Sequence, residues 1–286
     1  MRPPTIYDRR VWNFRPPIIE TARRATEGDK RPAMRITTLN VNGVRSADKR
    51  GFREWLAGNR PDVFCMQEVR ATEADVAPDL WNPEGYASRW FPAEQKGYSG
   101  TAVWSRRKNV RFTTGTGHAR GDAEGRAVGL HLPDTDVWSL YMPSGSSGPD
   151  RQAWKFEYMA HILPWMESLR ASGRPTLVCG DINIAHTKKD IKNATSNAKN
   201  SGFLPEERAW LDTLVSLGWQ DLFRVANPTS QAYSWWSQRG NARANDVGWR
   251  IDHIWATPNI RVRTANIDRS LYLSDHAPVT VDIDLG

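Results

Sequence analysis

Short apolar runs that stop at a polar side chain recur along this chain, and they narrow its fold more than any other feature. Residues 176–179 read Thr-Leu-Val-Cys, with Pro175 before them and Gly180 after, which predicts a buried strand followed by a turn. Asp181 and Asn183 flank Ile182, so both point to one side where the strand stops. That pair suits metal binding or activation of a water; alone, it fits equally a polar turn closing a core strand. The rest of the chain repeats it. The run 35–39 ends in Asn40, with Asn42 two residues on, 62–67 ends in Glu68, and 137–140 ends in Tyr141. Asp252 interrupts the apolar run 251–255, and Ser274-Asp275-His276 precedes a strand predicted over 278–283. Strands packed only for stability have no reason to end this way each time. One site built from strand ends on a two-layer scaffold does.

Between these runs strands alternate with helices. Phe52, Trp55 and Leu56 predict an amphipathic helix over 50–59, and strands follow over 101–105, 126–132 and 137–141. A helix over 150–169 carries Trp154, Tyr158, Ile162 and Trp165, and Pro164 is expected to break or kink it. A polar loop over 186–200 leads to a helix over 205–217, opened by Pro205 and stopped by Gly218. There is no short-period repeat and no Gly-rich nucleotide loop. Two packed sheets flanked by helices are therefore expected, and 286 residues suffice for one large domain of this kind. Residues 1–33 stand apart. Their repeated Pro-Pro, excess of Arg and Lys, and lack of periodicity predict a basic, disordered extension ahead of a folded domain over 34–286.

A net charge of +7 favours an anionic partner. The 14 tryptophans, several beside Gly, Ser or Arg, leave aromatic surface for stacking on bases or sugars. Cys65 and Cys179 fall in predicted buried strands and read as packed free thiols of a reducing compartment, without a disulfide framework or zinc site. No apolar stretch approaches the length of a membrane span, and the N-terminus lacks a signal peptide's apolar core. A soluble, cytoplasmic monomer is expected.

Seven segments complete the sequence reading. They are Leu-Asn-Val-Asn-Gly-Val-Arg (39–45), Met-Gln-Glu-Val-Arg (66–70), Gly-Tyr-Ser-Gly (97–100) and Tyr-Met-Pro-Ser-Gly (141–145). Gly-Asp-Ile-Asn-Ile-Ala (180–185), Gly-Trp-Arg-Ile-Asp (248–252) and Ser-Asp-His-Ala-Pro-Val (274–279) follow. Together, in this order, they resemble the exonuclease III/AP endonuclease family of the endonuclease/exonuclease/phosphatase superfamily, from about residue 34 to the C-terminus. Residues 201–208 look like this family rather than the superfamily's lipid phosphodiesterases. The resemblance implies a four-layered α/β sandwich of the deoxyribonuclease I type and dependence on Mg²⁺, with Mn²⁺ as an alternative. It implies hydrolysis of double-stranded DNA on the 5′ side of an abasic site, leaving a 3′-hydroxyl and a 5′-deoxyribose phosphate. A 3′→5′ exonuclease or 3′-repair activity can accompany it. The competing readings are a catalytically silent damaged-DNA-binding module and a phosphodiesterase acting on another substrate.

The resemblance also assigns residues. A hard cation prefers oxygen ligands and leaves positions open for water and phosphate. Glu68 is its main expected ligand, with Asp275 and Asn40 nearby and Asp181 and Asn183 adjoining; some relatives carry Asp where this chain has Asn42. Asp181 is the expected base, Asn183 a donor to the developing oxyanion, and His276 a cation oriented by Asp252. Tyr141 offers a phenol to a phosphate oxygen. Arg45, Arg70, Tyr98 and Arg126 are placed to hold phosphates, Asn193, Asn197 and Asn200 to grip a flipped sugar-phosphate, and Arg239 to wedge into the duplex. Trp235, Trp249 and Ile251 resemble a pocket that accepts a baseless deoxyribose and excludes an intact nucleotide by size. Each of these has a plainer reading as surface charge, solvated loop or core residue. Trp235 and Trp236, as neighbours in a strand, are expected to face opposite ways. Ser144 departs from members with Asn at that place.

Overall fold

The computed structural model describes residues 33–285, so the predicted extension over 1–33 lies, but for its last residue, outside the described residues. In chain order the first strands are β1 (Met34–Asn40), β2 (Val63–Gln67), β3 (Ala87–Phe91), β4 (Thr101–Ser105) and β5 (Arg111–Thr114). Next come β6 (Ala127–His131), β7 (Asp136–Leu140), β8 (Thr176–Asp181) and β9 (Gln220–Asp221). β10 (Trp235–Trp236), β11 (Gly248–Trp249), β12 (Asp252–Ala256), β13 (Ile260–Ile267) and β14 (Val279–Leu285) complete the set. One six-stranded sheet has the order β13-β14-β1-β2-β4-β3 and the other β5-β6-β7-β8-β12-β9, with β10 and β11 forming a separate two-stranded ribbon.

Strand alternation divides the core. Val63, Cys65, Leu177 and Cys179 pack between the sheets. Phe64 and Met66 point the other way, onto Phe52 and Leu56 of the helix Phe52–Asn59. Trp138 and Val178 point outward from the second sheet onto Trp154 and Ile162 of the helix Pro149–Ala171, and Leu211 of the helix Pro205–Ser216 joins that cluster. Each alternate residue thus serves a different layer. The result is helix, sheet, sheet, helix: the four-layered α/β sandwich.

Two strand pairs are parallel, β1 with β2 and β7 with β8. A parallel pair needs a crossover, supplied here by the helices Phe52–Asn59 and Pro149–Ala171. It also ends both strands on one edge. β1 and β2 therefore deliver Asn40 and Glu68 side by side, and β7 and β8 deliver Tyr141 and Asp181. β12 runs antiparallel to β8 with Asp252 opposite Asp181, so it begins where β8 ends.

Two local expectations need correction. The chain does not turn at Gly180: β8 runs through it to Asp181. A Cβ there would lie 2.0 Å from the Leu140 carbonyl oxygen, so close approach of β7 is what requires glycine, at a φ of 148°. Of the break or kink expected at Pro164, the break does not occur: the helix continues to Ala171. An interior proline costs about 3 kcal/mol. Burial of Trp154, Tyr158, Ile162 and Met166 along that helix outweighs it, at about 1.5–3 kcal/mol for each large apolar side chain. The tryptophan surplus also goes mostly inward, since Trp90, Trp104, Trp138, Trp154, Trp210, Trp219, Trp236 and Trp255 are all buried. No helix among the described residues is long and apolar enough to cross a membrane.

Candidate active site

The strand ends converge on a cleft of about 760 Å³. Glu68, Arg70, Tyr141, Asp181, Asn183, Asp275 and His276 line it, together with Trp235, Trp249 and Ile251. The backbone is strained where it turns into the cleft: Glu68 and Asn183 both take a φ of 56°. Asparagine tolerates that conformation, whereas a glutamate held there is unusual.

Amides tie the carboxylates together. Asn40 Nδ2 donates to Glu68 Oε2 at 2.9 Å and to Asp181 Oδ2 at 2.9 Å, bridging the two sheets. Its oxygen accepts the Asn42 backbone N–H at 2.9 Å. Asn183 gives its backbone N–H to Asp181 Oδ1 at 2.9 Å, and its side-chain amide to Asp181 Oδ2 at 3.1 Å and the Met142 carbonyl at 3.0 Å. Asp275 accepts from Asn42 Nδ2 at 2.8 Å and Trp235 Nε1 at 3.1 Å. His276 Nδ1 faces Asp252 Oδ2 at 2.9 Å, and its Nε2 lies 3.9 Å from Asp181 Oδ2. Ser234 donates to the same Asp252 oxygen at 2.6 Å, so Asp252 is buried but satisfied.

These contacts set the protonation states. Burial pushes Asp181 up to about 7 against the pull of the His276 cation, with the Asp252 charge adding to the rise. Burial works against a charged His276, but the facing Asp252, with Asp181 and Asp275 behind it, raises it to about 10. At neutral pH it is an imidazolium. Burial also favours a neutral Asp275, yet His276 and the Asn42 and Trp235 donors hold it below the usual carboxylate range. Tyr141 is kept a phenol, first by burial and then by the Glu68 and Asp181 carboxylates.

Asp181, Asp252 and His276 bring potential ligand atoms within 4.8 Å of one another. A protonated imidazole cannot ligate, however, and Asp252 is already occupied by His276 and Ser234. The carboxylates that line the cleft, Glu68, Asp181 and Asp275, offer the hard oxygens that a divalent cation prefers. Asn40, expected as a ligand, is fully buried and turns its N–H groups toward the carboxylates, so it acts here as their bridge.

The expected DNA contacts divide. Arg70 lines the cleft and pairs with Glu68. Arg45 is exposed and shares an adjoining hollow with Arg70 and Lys49. Asn200 lines the cleft, whereas Asn193 and Asn197 do not; Asn197 Nδ2 is spent on the Lys192 and Asn193 carbonyls at 3.2 and 3.0 Å. Arg239 is exposed and is not among the lining residues. Arg126 is 1 % exposed, not a surface cation. It donates to Glu124 at 2.6 Å, the Tyr141 carbonyl at 3.0 Å and Tyr98 Oη at 3.2 Å, and its guanidinium lies 4.8 Å over the Tyr141 ring. Glu124 supplies the compensating charge that lets an arginine sit there, so Arg126 and Tyr98 stand behind Tyr141 rather than in the cleft.

Trp235 and Trp249 pair across β10 and β11, rings 6.1 Å apart and at 86°, with Ile251 beside them. Trp236 turns inward, as strand alternation requires. Sequence reasoning noted Ser144 but assigned no site residue in the loop 144–148, which lines the cleft and leads into the helix Pro149–Ala171. Its signal was a glycine- and serine-rich run just ahead of a long helix, whose first N–H groups lack partners within the helix.

The chain belongs to the endonuclease/exonuclease/phosphatase family, whose profile matches residues 37–276. Its place within that family is the exonuclease III/AP endonuclease branch. An exodeoxyribonuclease of Bacillus subtilis is 34% identical to it, over 88% of this chain and 100% of its own. A DNA-(apurinic or apyrimidinic site) endonuclease of Dictyostelium discoideum is 33% identical, over 88% of this chain and 71% of its own. A solved 3′ phosphatase from Neisseria, bound to a product DNA hairpin, superposes with a TM-score of 0.79 at 27% identity, covering 88% of this chain and 100% of its own.

Proposed function

We propose that this protein is a DNA-repair AP endonuclease that hydrolyses the phosphodiester 5′ to an abasic site in double-stranded DNA, with an accompanying 3′→5′ exonuclease or 3′-repair activity. The observation that carries this reading is one cleft holding both the Asp181–His276–Tyr141 constellation and the Trp235–Trp249–Ile251 walls. Asp181 takes the proton of the attacking water, oriented by Asn40 and Asn183. Asn183 has both side-chain N–H groups engaged, which fits orienting the base better than donating to an oxyanion. His276, charged and braced by Asp252, stabilises the pentavalent phosphate, and the Tyr141 phenol donates to a phosphate oxygen. Glu68 and Asp275, with Asp181, would hold Mg²⁺ or Mn²⁺, which supplies charge to offset that developing on the phosphate and the leaving 3′ oxygen. The indoles pack on a baseless sugar, and such a residue has no base to unstack.

A net charge of +7 suits a polyanionic substrate. The buried free thiols Cys65 and Cys179 suit a reducing cytoplasm, and a monomer completes the site from one chain. The test is incision of an abasic duplex with and without EDTA, beside a matched undamaged duplex. Metal-dependent cleavage confined to the abasic strand is expected. Binding without cleavage would identify a silent damage-binding module, and neither would point to a substrate other than DNA.

A further inference from the structure

The helix Pro149–Ala171 buries a charge for which the chemistry above has no use. Lys155 and Glu207 are each 0 % exposed, with Nζ 2.6 Å from Oε1. Burying two charges costs more than their attraction returns unless their remaining donors and acceptors are filled, and an apolar pair of similar volume is often as stable. Stability therefore does not explain them.

Gln152 Nε2 also donates to Glu207 Oε1, at 3.1 Å, and the other partners of the pair are backbone groups of the cleft wall. Lys155 Nζ donates to the Asn183 carbonyl at 2.8 Å. Glu207 Oε2 accepts the N–H of Gly202 at 2.6 Å and of Leu204 at 3.0 Å. Gly202 gives its carbonyl to Ala185 N–H at 2.8 Å and sits under the Trp249 ring, which a Cβ there would meet at 2.9 Å. One ion pair thus grips the strained turn at Asn183, which orients Asp181, and the segment that backs Trp249.

We propose that Lys155 and Glu207 form a positioning pair that holds the general base and the sugar-pocket wall in one register. Neither touches substrate. An apolar pair could fill the same volume but could not bond the Asn183 carbonyl or the Gly202 and Leu204 N–H groups. The inference rests on the nuclease reading for its kinetic consequence, and on geometry alone for its structural one.

The test uses the full chain and three variants: Lys155→Met, Glu207→Met and the double variant, in which no side-chain acceptor remains for the Gly202 and Leu204 N–H groups. Each single change leaves a buried charge unpaired and should lower the urea midpoint, and the double change should recover most of that loss. The double variant's single-turnover incision rate should nevertheless stay about 10- to 100-fold below wild type, as expected for a misplaced catalytic group. Its half-saturating enzyme concentration should stay near the wild-type value. The amides of Ala185 and Gly202 should exchange with solvent faster than in wild type. If the double variant regains both stability and rate, or those amides exchange as before, the pair only fills space and the proposal fails. A wild type that leaves the abasic duplex intact would sink the nuclease reading alone, and the exchange measurement would still decide the clamp.

Discussion

Asp181 sits 2 % exposed between the Asn40 amide and a buried imidazolium, and its affinity for a proton follows from that address. Replacing it with Asn keeps the shape and removes the carboxylate proposed as the base. Single-turnover incision of a bound abasic duplex should fall by at least ~10²-fold with DNA affinity retained. Burial holds its carboxyl at about 7, so the wild-type rate should climb with pH over an acidic limb that ends near or below that value, because only the ionised form accepts a proton. A rate flat across that limb would assign the base elsewhere. His276 makes the complementary prediction for stability. It binds its proton more tightly folded, at about 10, than in an unfolded chain, where histidine titrates near 6.5. Between those values the native state carries more protons, so its stabilisation is complete below the lower one and lost as pH rises through the upper. Urea unfolding in EDTA should show wild type losing stability over that window relative to His276→Gln, and parallel pH profiles would refute the buried imidazolium.

At the scale of elements, the ribbon β10–β11 supplies two aromatic walls of the cleft. Its two residues per strand hold Trp235 and Trp249 edge to face, and the Ile191–Trp249 bridge fastens the polar loop to them. Trp249→Ala should remove one wall. Abasic incision should then fall while removal of normal 3′ nucleotides falls less or rises, measured on matched duplexes at saturating enzyme and fixed Mg²⁺. Equal losses on both would mean that the indole supports folding or general DNA binding. Among the strands that eluded sequence reading, β3, β5 and β13 are outermost in their sheets. Their exposed faces carry residues such as Arg89, Arg111, Arg261 and Arg263, which dilute the apolar signal that marks a central strand.

For the whole molecule, every side chain given a role in the cleft lies between Asn40 and His276, within the span that matches the family. Removing residues 1–33 should therefore leave metal-dependent incision at saturating DNA unchanged. Affinity should weaken most at low salt, where a basic segment contributes through counterion release. A truncated chain that folds, judged by circular dichroism and urea unfolding, yet loses its rate at saturation would place part of the site in that segment.

What the chain declares by itself is local. Short apolar runs marked the central strands, the polar residues at or just past their ends marked Asn40, Glu68, Tyr141, Asp181 and Asn183, and Pro205 and Gly218 marked a helix. These follow from the covalent geometry of short segments and need no knowledge of the partner strand. What tertiary structure alone decided is where charge lives. Asn40 meets Asp181 across 141 residues of sequence, and Lys155 meets Glu207 across 52. Whether Arg126 faces water or a tyrosine, whether Asp181 holds a proton, and whether Gly180 is a turn or a point of close approach all depend on atoms brought near by other strands. Electrostatic energies and steric limits depend on distance in space, and only the packed sandwich sets that distance.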